Sequence, residues 1–301
     1  MVRVLVILSV IVCSLRAQSL QQAISDVEAG RLENAEQALT RFLGSHPDSE
    51  EALFYMGLLH FRAGRPAAAR PYLDRAVKLS PTSAPAWKVL GLVTAAGGNL
   101  QEALTPFGKA CQLAPSDEEA CYYFARNLYA LHRYDLACEP FAQALRAAPE
   151  GMRSKVDRAA ALNLEALGRS AEAERHFREA VRLHRGDGRP NEDPHIDYGA
   201  FLFRQGRTAE ALRTLEQATA ALASSSRANT ELGRVLLELG RPDAAAVQLE
   251  RAIGLERGNW TARLLLGRAY LRLGRKEEGN EQMRLGQEGW AREHYDSSIV
   301  K

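Results

Sequence analysis

The feature that most constrains this chain is a spacing of 34 residues that recurs along most of its length. Three series of residues share that spacing: Ala69, Ala103 and Ala137; Leu73, Phe107 and Phe141; and Pro47, Pro81, Pro115 and Pro149. A period of this length is typical of arrays in which one supersecondary unit is repeated. An ordinary domain with a single central core is therefore excluded for most of the chain.

Two short insertions interrupt the period without ending it. Two extra residues follow Pro149, and four more lie around 188–191. Once both are allowed for, the pattern continues through Leu232-Gly233 and Leu266-Gly267. We count about eight repeats, numbered here in chain order: 16–49, 50–83, 84–117, 118–151, 154–187, 192–225, 226–259 and 260–293.

Each repeat has the pattern of two helices joined by a short turn. In repeat 2, apolar positions recur at steps of three and four residues from Leu53 to Phe61, which is one face of a helix. Gly64-Arg65-Pro66 then stops it, since Gly favours the end of one helix and Pro the start of the next. A hairpin this small cannot bury its own apolar face, so neighbouring repeats must stack.

The repeat resembles the tetratricopeptide repeat, whose pattern is Trp, Leu-Gly, Tyr, Ala, Phe, Ala and Pro at fixed places. Repeat 3 matches it best, with Trp87, Leu90-Gly91, Gly98, Ala103, Phe107, Ala110 and Pro115. The resemblance covers nearly all of 18–293. It implies an all-α fold, a right-handed α-solenoid of about eight helix-turn-helix repeats with a concave groove.

The terminal repeats depart from the pattern. Gln22-Ala23 stand where repeat 1 should have Leu-Gly, and repeat 8 has Gly279, Met283 and Gly286 in place of Ala, Phe and Ala. Weak terminal repeats are typical of the end caps of such arrays.

Residues 1–17 have the pattern of a targeting segment. Arg3 precedes an apolar run from Val4 to Val12, and Ala17 offers a small residue for cleavage. The run is too short to span a bilayer as a helix. We expect a signal peptide over 1–17, a solenoid over 18–293, a tail over 294–301, and export to the periplasm or the extracellular space. An uncleaved membrane anchor over 4–12 and a lipid-modified Cys13 are the alternatives.

The charge balance excludes an ordinary nucleic-acid-binding protein. Without Arg3 and Arg16 the 39 basic residues fall to 37, which equals the number of acidic residues. A nucleic-acid binder normally carries clustered excess positive charge, because contacts to phosphates supply most of its affinity.

No catalytic or metal-binding motif occurs. The seven histidines match no metal-ligand spacing, and they are His46, His60, His132, His176, His184, His195 and His294. His60 and His132 stand where the repeat usually has Tyr and Gly, which indicates packing or turn roles. The insertion from Gly186 to Pro194 lacks the alternating ligands of a calcium loop and is expected to be a surface loop. We expect no enzyme activity, cofactor or metal.

Three cysteines follow the targeting segment. Cys111 is near the end of one predicted second helix and Cys121 is in the next first helix, so the two are expected to be neighbours. Either a disulfide or a pair of buried small side chains fits this position, and the second is the commoner case. Asn259-Trp260-Thr261 also fits an N-glycosylation acceptor.

The resemblance implies that ligands lie along the groove, against the second, fifth, ninth, twelfth and thirteenth residues of each first helix. In this chain those positions include Phe54, Phe61, Arg62, Lys88, Tyr122, Arg126, Tyr129, Arg158, Phe203, Arg204, Arg234, Arg268 and Arg272. Tyr and Arg are types that often carry interface energy. Packing between repeats is the alternative for Tyr122, Tyr123 and Tyr129. The Lys and Asn pair with which some members clamp a terminal carboxylate is missing, because Leu92 follows Lys88 four residues later.

These observations predict a non-enzymatic scaffold or adaptor that binds a protein or peptide segment in its groove and helps to assemble an envelope or secreted complex. Two alternatives stay open. One is an accessory subunit of an enzyme that modifies a polymer such as a glycan, and the other is a structural solenoid tethered to a membrane.

Overall fold

The computed structural model describes residues 19–186, 192–221 and 224–299, with side chains through 293. These residues form sixteen α-helices and no strand, which confirms the predicted all-α fold. The helices are α1 (19–28), α2 (Leu32–Ser45), α3 (Glu50–Arg62), α4 (Pro66–Leu79), α5 (Ala84–Ala96), α6 (Leu100–Leu113), α7 (Glu118–Ala130), α8 (Tyr134–Ala147), α9 (Glu150–Ala166), α10 (Ser170–Leu183), α11 (Pro194–Arg204), α12 (Thr208–Ala221), α13 (Ser226–Glu238), α14 (Pro242–Leu255), α15 (Trp260–Arg272) and α16 (Lys276–Ile299).

Each repeat supplies two helices, so the odd-numbered helices are the first helices and the even-numbered ones are the second. Most first helices have 13 residues and most second helices 14. Helix α16 has 24 residues and continues through Ile299, into the segment for which the sequence indicates a tail. Residues 1–17, predicted as a signal peptide, lie outside the described residues, and so does most of the second insertion.

The chain divides into two compact units. The N-terminal unit comprises the helices through Ala148, and the C-terminal unit comprises those from Pro149 onward. The division falls beside the two-residue insertion, and helix α9, which contains that insertion, has 17 residues. None of the described helices has the combined length and apolar character that a bilayer-spanning helix needs.

The end of each first helix is a left-handed turn. Seven of the eight repeats use Gly there, with φ between 68° and 83°: Gly30, Gly64, Gly98, Gly168, Gly206, Gly240 and Gly274. Gly is favoured because it has no Cβ to clash in this conformation. Repeat 4 has His132 instead, with φ at 57°, so the turn role expected for this histidine is correct.

The next repeat begins with a capped helix. A side chain just before α3, α5, α7, α13 or α15 accepts a hydrogen bond from the backbone N–H three residues on, and these caps are Ser49, Ser83, Asp117, Ser225 and Asn259. Such caps satisfy backbone donors that have no partner within the helix. They fix where each first helix starts.

The predicted ladder residues form the core of each hairpin. Leu73 and Leu215 are fully buried, and Phe107 is 2% exposed. Each presses on the Gly of the facing first helix: a Cβ on Gly91 would lie 2.5 Å from Phe107, and one on Gly57 would lie 2.5 Å from Leu73. The Leu-Gly pair therefore makes room for the ladder side chain.

The last hairpin packs more closely than the others. A Cβ on Gly267 in α15 would lie 2.8 Å from the carbonyl oxygen of Gly279 in α16. A Cβ on Gly286 would lie 2.9 Å from the side chain of Leu264, and one on Gly289 would lie 2.3 Å from the ring of Trp260. The glycines that depart from the repeat pattern in repeat 8 thus let α15 and α16 approach backbone to backbone.

Cys111 and Cys121 form a disulfide. It joins the end of α6 to the first turn of α7, and both cysteines are buried. The structure therefore has the less common of the two arrangements that the sequence allows. Cys138 is not part of this disulfide, and its Sγ donates to the carbonyl of Tyr134 at 3.6 Å.

Candidate functional site

Three cavities occur at the same place in three repeats. Each lies between the first half of a first helix and the turn that enters the next repeat, with volumes of 320, 190 and 480 Å³ in repeats 2, 5 and 7. In all three, the second and fifth residues of the repeat line the wall together with its thirty-first residue. The second and fifth are positions that the sequence analysis assigned to the groove.

The cavity of repeat 2 is acidic and aromatic. Glu50 and Glu51, from the first turn of α3, line it together with Phe54 and Tyr55. The two rings meet edge to face, with centroids 5.0 Å apart. Burial raises the pKa of Tyr55, and the negative charges of Glu28 and Glu51 raise it further.

The cavity of repeat 5 is lined mainly by basic side chains. Lys155 and Arg158 come from α9, and His184 and Arg185 follow α10. Arg185 forms an ion pair of 2.8 Å with Glu150. Leu183 and Pro194 supply apolar wall.

The cavity of repeat 7 combines two tryptophans with charged groups. Trp260 begins α15, and Trp290 reaches the cavity from the long α16 and is 53% exposed. Arg227, Glu231 and Arg234 from α13 form the opposite wall.

A cluster of one carboxylate and two histidines, which the sequence pattern did not predict, lies beside the second insertion. The Asp193 carboxylate accepts a hydrogen bond from the backbone N–H of His195 at 2.7 Å and lies 2.8 Å from Nδ1 of the same residue. Its other oxygen lies 3.0 Å from Nε2 of His184. Burial alone would raise the pKa of Asp193, but the hydrogen bonds from His195 and the attraction of both histidines hold it below its ordinary value. The one signal in the sequence was the pair of histidines flanking the acidic insertion.

Within the described ranges, no group of three His, Cys, Asp or Glu residues is arranged to hold a metal ion. Asp193 instead caps α11 and ties the end of α10 to it through His184.

Most predicted groove arginines bind neighbouring residues of the same unit. Nη1 of Arg62 donates to the carbonyl of Val27 at 2.7 Å, and Arg272 donates to that of Leu237. Each of these pairs joins the end of one first helix to the end of the preceding one. These side chains therefore hold successive first helices together.

Arg158, Arg204 and Arg234 pair with carboxylates. Arg204 reaches Glu165 of α9 with two bonds of 2.7 and 2.9 Å, and Arg158 binds Asp197 of α11. Nε of Arg234 donates to Glu231 at 3.1 Å. The sequence showed the arginines but not the pairs of Arg158 and Arg204, because these two partners lie 39 residues away across a period that the insertions have shifted.

In the N-terminal unit, Lys88 lies beneath two carboxylates. Nζ is 2.8 Å from Asp117 and 3.2 Å from Glu119. Burial opposes the charge, but the hydrogen bonds and the attraction of these two groups raise the pKa of Lys88. Phe54, Phe61 and Phe203 are half-buried.

Tyr122 is only 3% exposed and packs against Phe141, so it has the packing role that the sequence analysis left open. Tyr129 is half-buried, 5.4 Å from the ring of Tyr134. Arg126 is exposed and lies 5.5 Å from the centre of the Tyr122 ring, and Arg268 is exposed as well. A ligand would meet Arg126 and Arg268 but not the ring of Tyr122.

The Asn259 amide is already used within the fold. Its Nδ2 donates to Ser226 and Thr230, both at 2.9 Å, and its Oδ1 caps α15. A glycan attached to this nitrogen would leave it one N–H, so at least one of the two bonds would be lost. The Asn-Trp-Thr match is therefore structural.

Comparisons with known proteins agree with the fold. A family model described as tetratricopeptide repeat matches residues 20–84, 202–254 and 230–279, and a second model of the same description matches 156–179. No protein with a curated description matches the chain in sequence.

Solved structures show the same fold at low sequence identity. A chain of the APC/C hetero-tetramer Cut9-Hcn1 has a TM-score of 0.63 and 18% identity, over 82% of this chain and 48% of that one. This chain thus spans about half the length of that relative. A tetratricopeptide repeat protein from Parabacteroides merdae has a TM-score of 0.63 and 17% identity, over 84% and 98%. MamA has a TM-score of 0.50 and 22% identity, over 56% and 91%.

Tetratricopeptide repeats generally serve as scaffolds for protein interactions, and the first-helix face described above is suited to that use. The repeat period, the glycine turns, the ladder packing and the family matches together place this chain in the tetratricopeptide repeat family.

Proposed function

We propose that this protein is an exported, non-enzymatic adaptor that binds an extended segment of a partner protein along its first helices. The observation that carries the proposal is the recurrence of a cavity at one position in repeats 2, 5 and 7. Cavities that recur at one position of the repeat suit a ligand that has its own repeating unit, and a polypeptide chain is such a ligand.

The residues that line the cavities favour a peptide over a small molecule as the ligand. Each combines apolar or aromatic walls with charged groups, and the balance differs from one repeat to the next. Aromatic and arginine side chains are the types that most often carry binding energy at protein interfaces. A set of cavities with different linings can distinguish a sequence of different side chains.

Export is supported by the sequence pattern of residues 1–17 and by the disulfide between Cys111 and Cys121. Disulfides persist mainly in oxidising compartments such as the periplasm and the extracellular space. The proposed place of work is therefore an envelope or secreted complex, which the adaptor helps to assemble.

Site-specific photo-crosslinking in the source cells tests the binding face. A photoreactive residue replaces Arg126 or Arg268, which are exposed on first helices. Matched controls carry it at Arg146 or Arg251, which are exposed on second helices. We expect the first-helix positions to capture a protein partner that the second-helix positions do not. Capture only from second helices would overturn the proposal.

A further inference from the structure

Charged side chains along α9, α11 and α13 form two layers. In every ion pair between these helices, and in the pair within α13, the guanidinium is more exposed than its carboxylate partner. The exposed fractions are 52% against 18% for Arg204 and Glu165, 37% against 2% for Arg227 and Asp197, 36% against 20% for Arg234 and Glu231, and 17% against 2% for Arg158 and Asp197.

The inner carboxylates hold the outer guanidiniums in place. Asp197 binds Arg158 from α9 on one oxygen and Arg227 from α13 on the other. Burial opposes their charge, but bonds to Glu165 and Asp197 raise the pKa values of Arg204 and Arg227 above the ordinary value. Arg204 and Arg227 therefore stay charged. The four arginines lie over three carboxylates, those of Glu165, Asp197 and Glu231.

The outer layer keeps hydrogen-bond donors available. A guanidinium has five N–H groups, and Arg158 and Arg234 each use only Nε for the carboxylate beneath. Within the described residues, their terminal nitrogens make no further hydrogen bond. Arg158 lines the cavity of repeat 5, and Arg227 and Arg234 line that of repeat 7.

We propose that this arginine layer, Arg158, Arg204, Arg227 and Arg234, binds a partner segment rich in Asp and Glu. The proposal rests on the proposed function and names the chemistry of the partner. Guanidiniums fixed in advance bind a carboxylate with two parallel bonds and lose little conformational freedom on binding.

The cavities at both ends of the layer favour a peptide over another polyanion. Leu183 and Pro194 line one, and Trp260 and Trp290 the other. These walls can take apolar side chains, which a phosphate polymer lacks.

The N-terminal unit has the opposite layering at Lys88. That side chain is 19% exposed, whereas Asp117 is 25% and Glu119 is 44% exposed. At Lys88 the first helices of the N-terminal unit therefore do not repeat the outward cation of the arginine layer.

Helix spacing sets the design of a probe. Packed helices lie about 8–10 Å apart, and three extended residues span about 10 Å. The probe is therefore a labelled peptide of about twelve residues with Glu at every third position and Leu or Phe between. A second peptide has Gln at each Glu position.

Fluorescence anisotropy with the full chain measures binding. We expect the Glu peptide to bind and the Gln peptide not to, and we expect salt to weaken the complex through screening. The double variant R204Q/R234Q should bind about tenfold more weakly or worse. The matched variant R175Q/R182Q loses the same charge from α10, a second helix, and should bind as the wild type does.

Circular dichroism checks that the variants are folded. If the double variant is unfolded, the binding of the Glu peptide is measured with R234Q alone. The ion pair of Arg234 lies within α13, so its loss does not separate two helices. Equal binding by all variants, equal binding of the two peptides, or binding of tripolyphosphate in place of the Glu peptide would each overturn the proposal. A partner cross-linked on first helices together with no binding of the Glu peptide would refute the acidic segment alone and leave the adaptor function standing.

Discussion

The turn of repeat 4 is the one described repeat turn with a side chain in the left-handed region. His132 has φ at 57°, where a residue with a Cβ is strained by about 1 kcal/mol or more. We predict that H132G raises the free energy of unfolding by about 0.5–1 kcal/mol, because the relief of strain exceeds the entropy cost of Gly. Urea denaturation of the wild type and the variant measures this difference in the free energy of unfolding.

The matched change is G98A at the same turn of repeat 3, where φ is 83°. It should lower the free energy of unfolding by about 1 kcal/mol. A destabilising H132G would show that the contact of 2.6 Å between His132 Nδ1 and the Tyr134 hydroxyl outweighs the strain.

At this scale the sequence predicted the residues that the backbone and the core require. The turn glycines, the role of His132 and the ladder from Leu73 to Phe141 all follow from local geometry repeated at one period. The ion-pair partners of the arginines were not predictable from the sequence. The contact between Arg204 and Glu165, for example, depends on where α9 and α11 pack against each other. The burial of Tyr122 was not predictable either, because it depends on how α7 packs against α8.

The close contact between α15 and α16 makes a prediction about an element. G267A places a Cβ 2.8 Å from a backbone oxygen and 3.0 Å from a backbone nitrogen, so one helix must move. We expect a loss of about 1–3 kcal/mol. The control G254A lies in α14 with nothing within 4 Å of its Cβ, and should gain about 0.5 kcal/mol from helix propensity. Equal effects in thermal unfolding would contradict the close packing.

The disulfide links α6 to α7 across ten residues of sequence. Closing a loop of that size restricts the unfolded chain and stabilises the fold by about 2–3 kcal/mol. We therefore expect reductant to lower the free energy of unfolding by that amount in the wild type and to leave C111S/C121S unchanged. Alkylation of Cys111 or Cys121 in the oxidised wild-type protein, located by mass spectrometry, would show that the bond does not form.

Asp193 gives the junction of α10 and α11 a dependence on pH. Its pKa is lowered in the fold, so its stabilising contribution is complete above the unfolded value of about 4 and is lost as the pH falls through the folded value. D193N should cost about 1–3 kcal/mol at neutral pH. The difference from the wild type should narrow as the pH falls from about 5 to 3. A constant difference over that range would contradict the assignment.

The number and type of helices were predictable, because a period of 34 residues with a glycine in the middle leaves room for two helices and two turns. The length of α16 was not. Its continuation carries no repeat residue, and only the contact of Gly289 with Trp260 shows why it stays against α15. Trp290 becomes a cavity residue through that continuation.

At the scale of the molecule, the sequence predicts one array over 18–293. The described repeats divide into two compact units at Ala148 and Pro149. The two-residue insertion after Pro149 lies beside this boundary between the units. The two units also differ in the order of their charges: an inner Lys88 in one, and an outer arginine layer in the other. The proposed acidic segment would therefore bind the C-terminal unit.

Hydrogen exchange of the full chain, with and without the partner captured by cross-linking, tests most directly that the first helices bind. We predict slower exchange in α9, α11 and α13 on binding, with α10, α12 and α14 unchanged. Protection confined to the second helices would contradict the account.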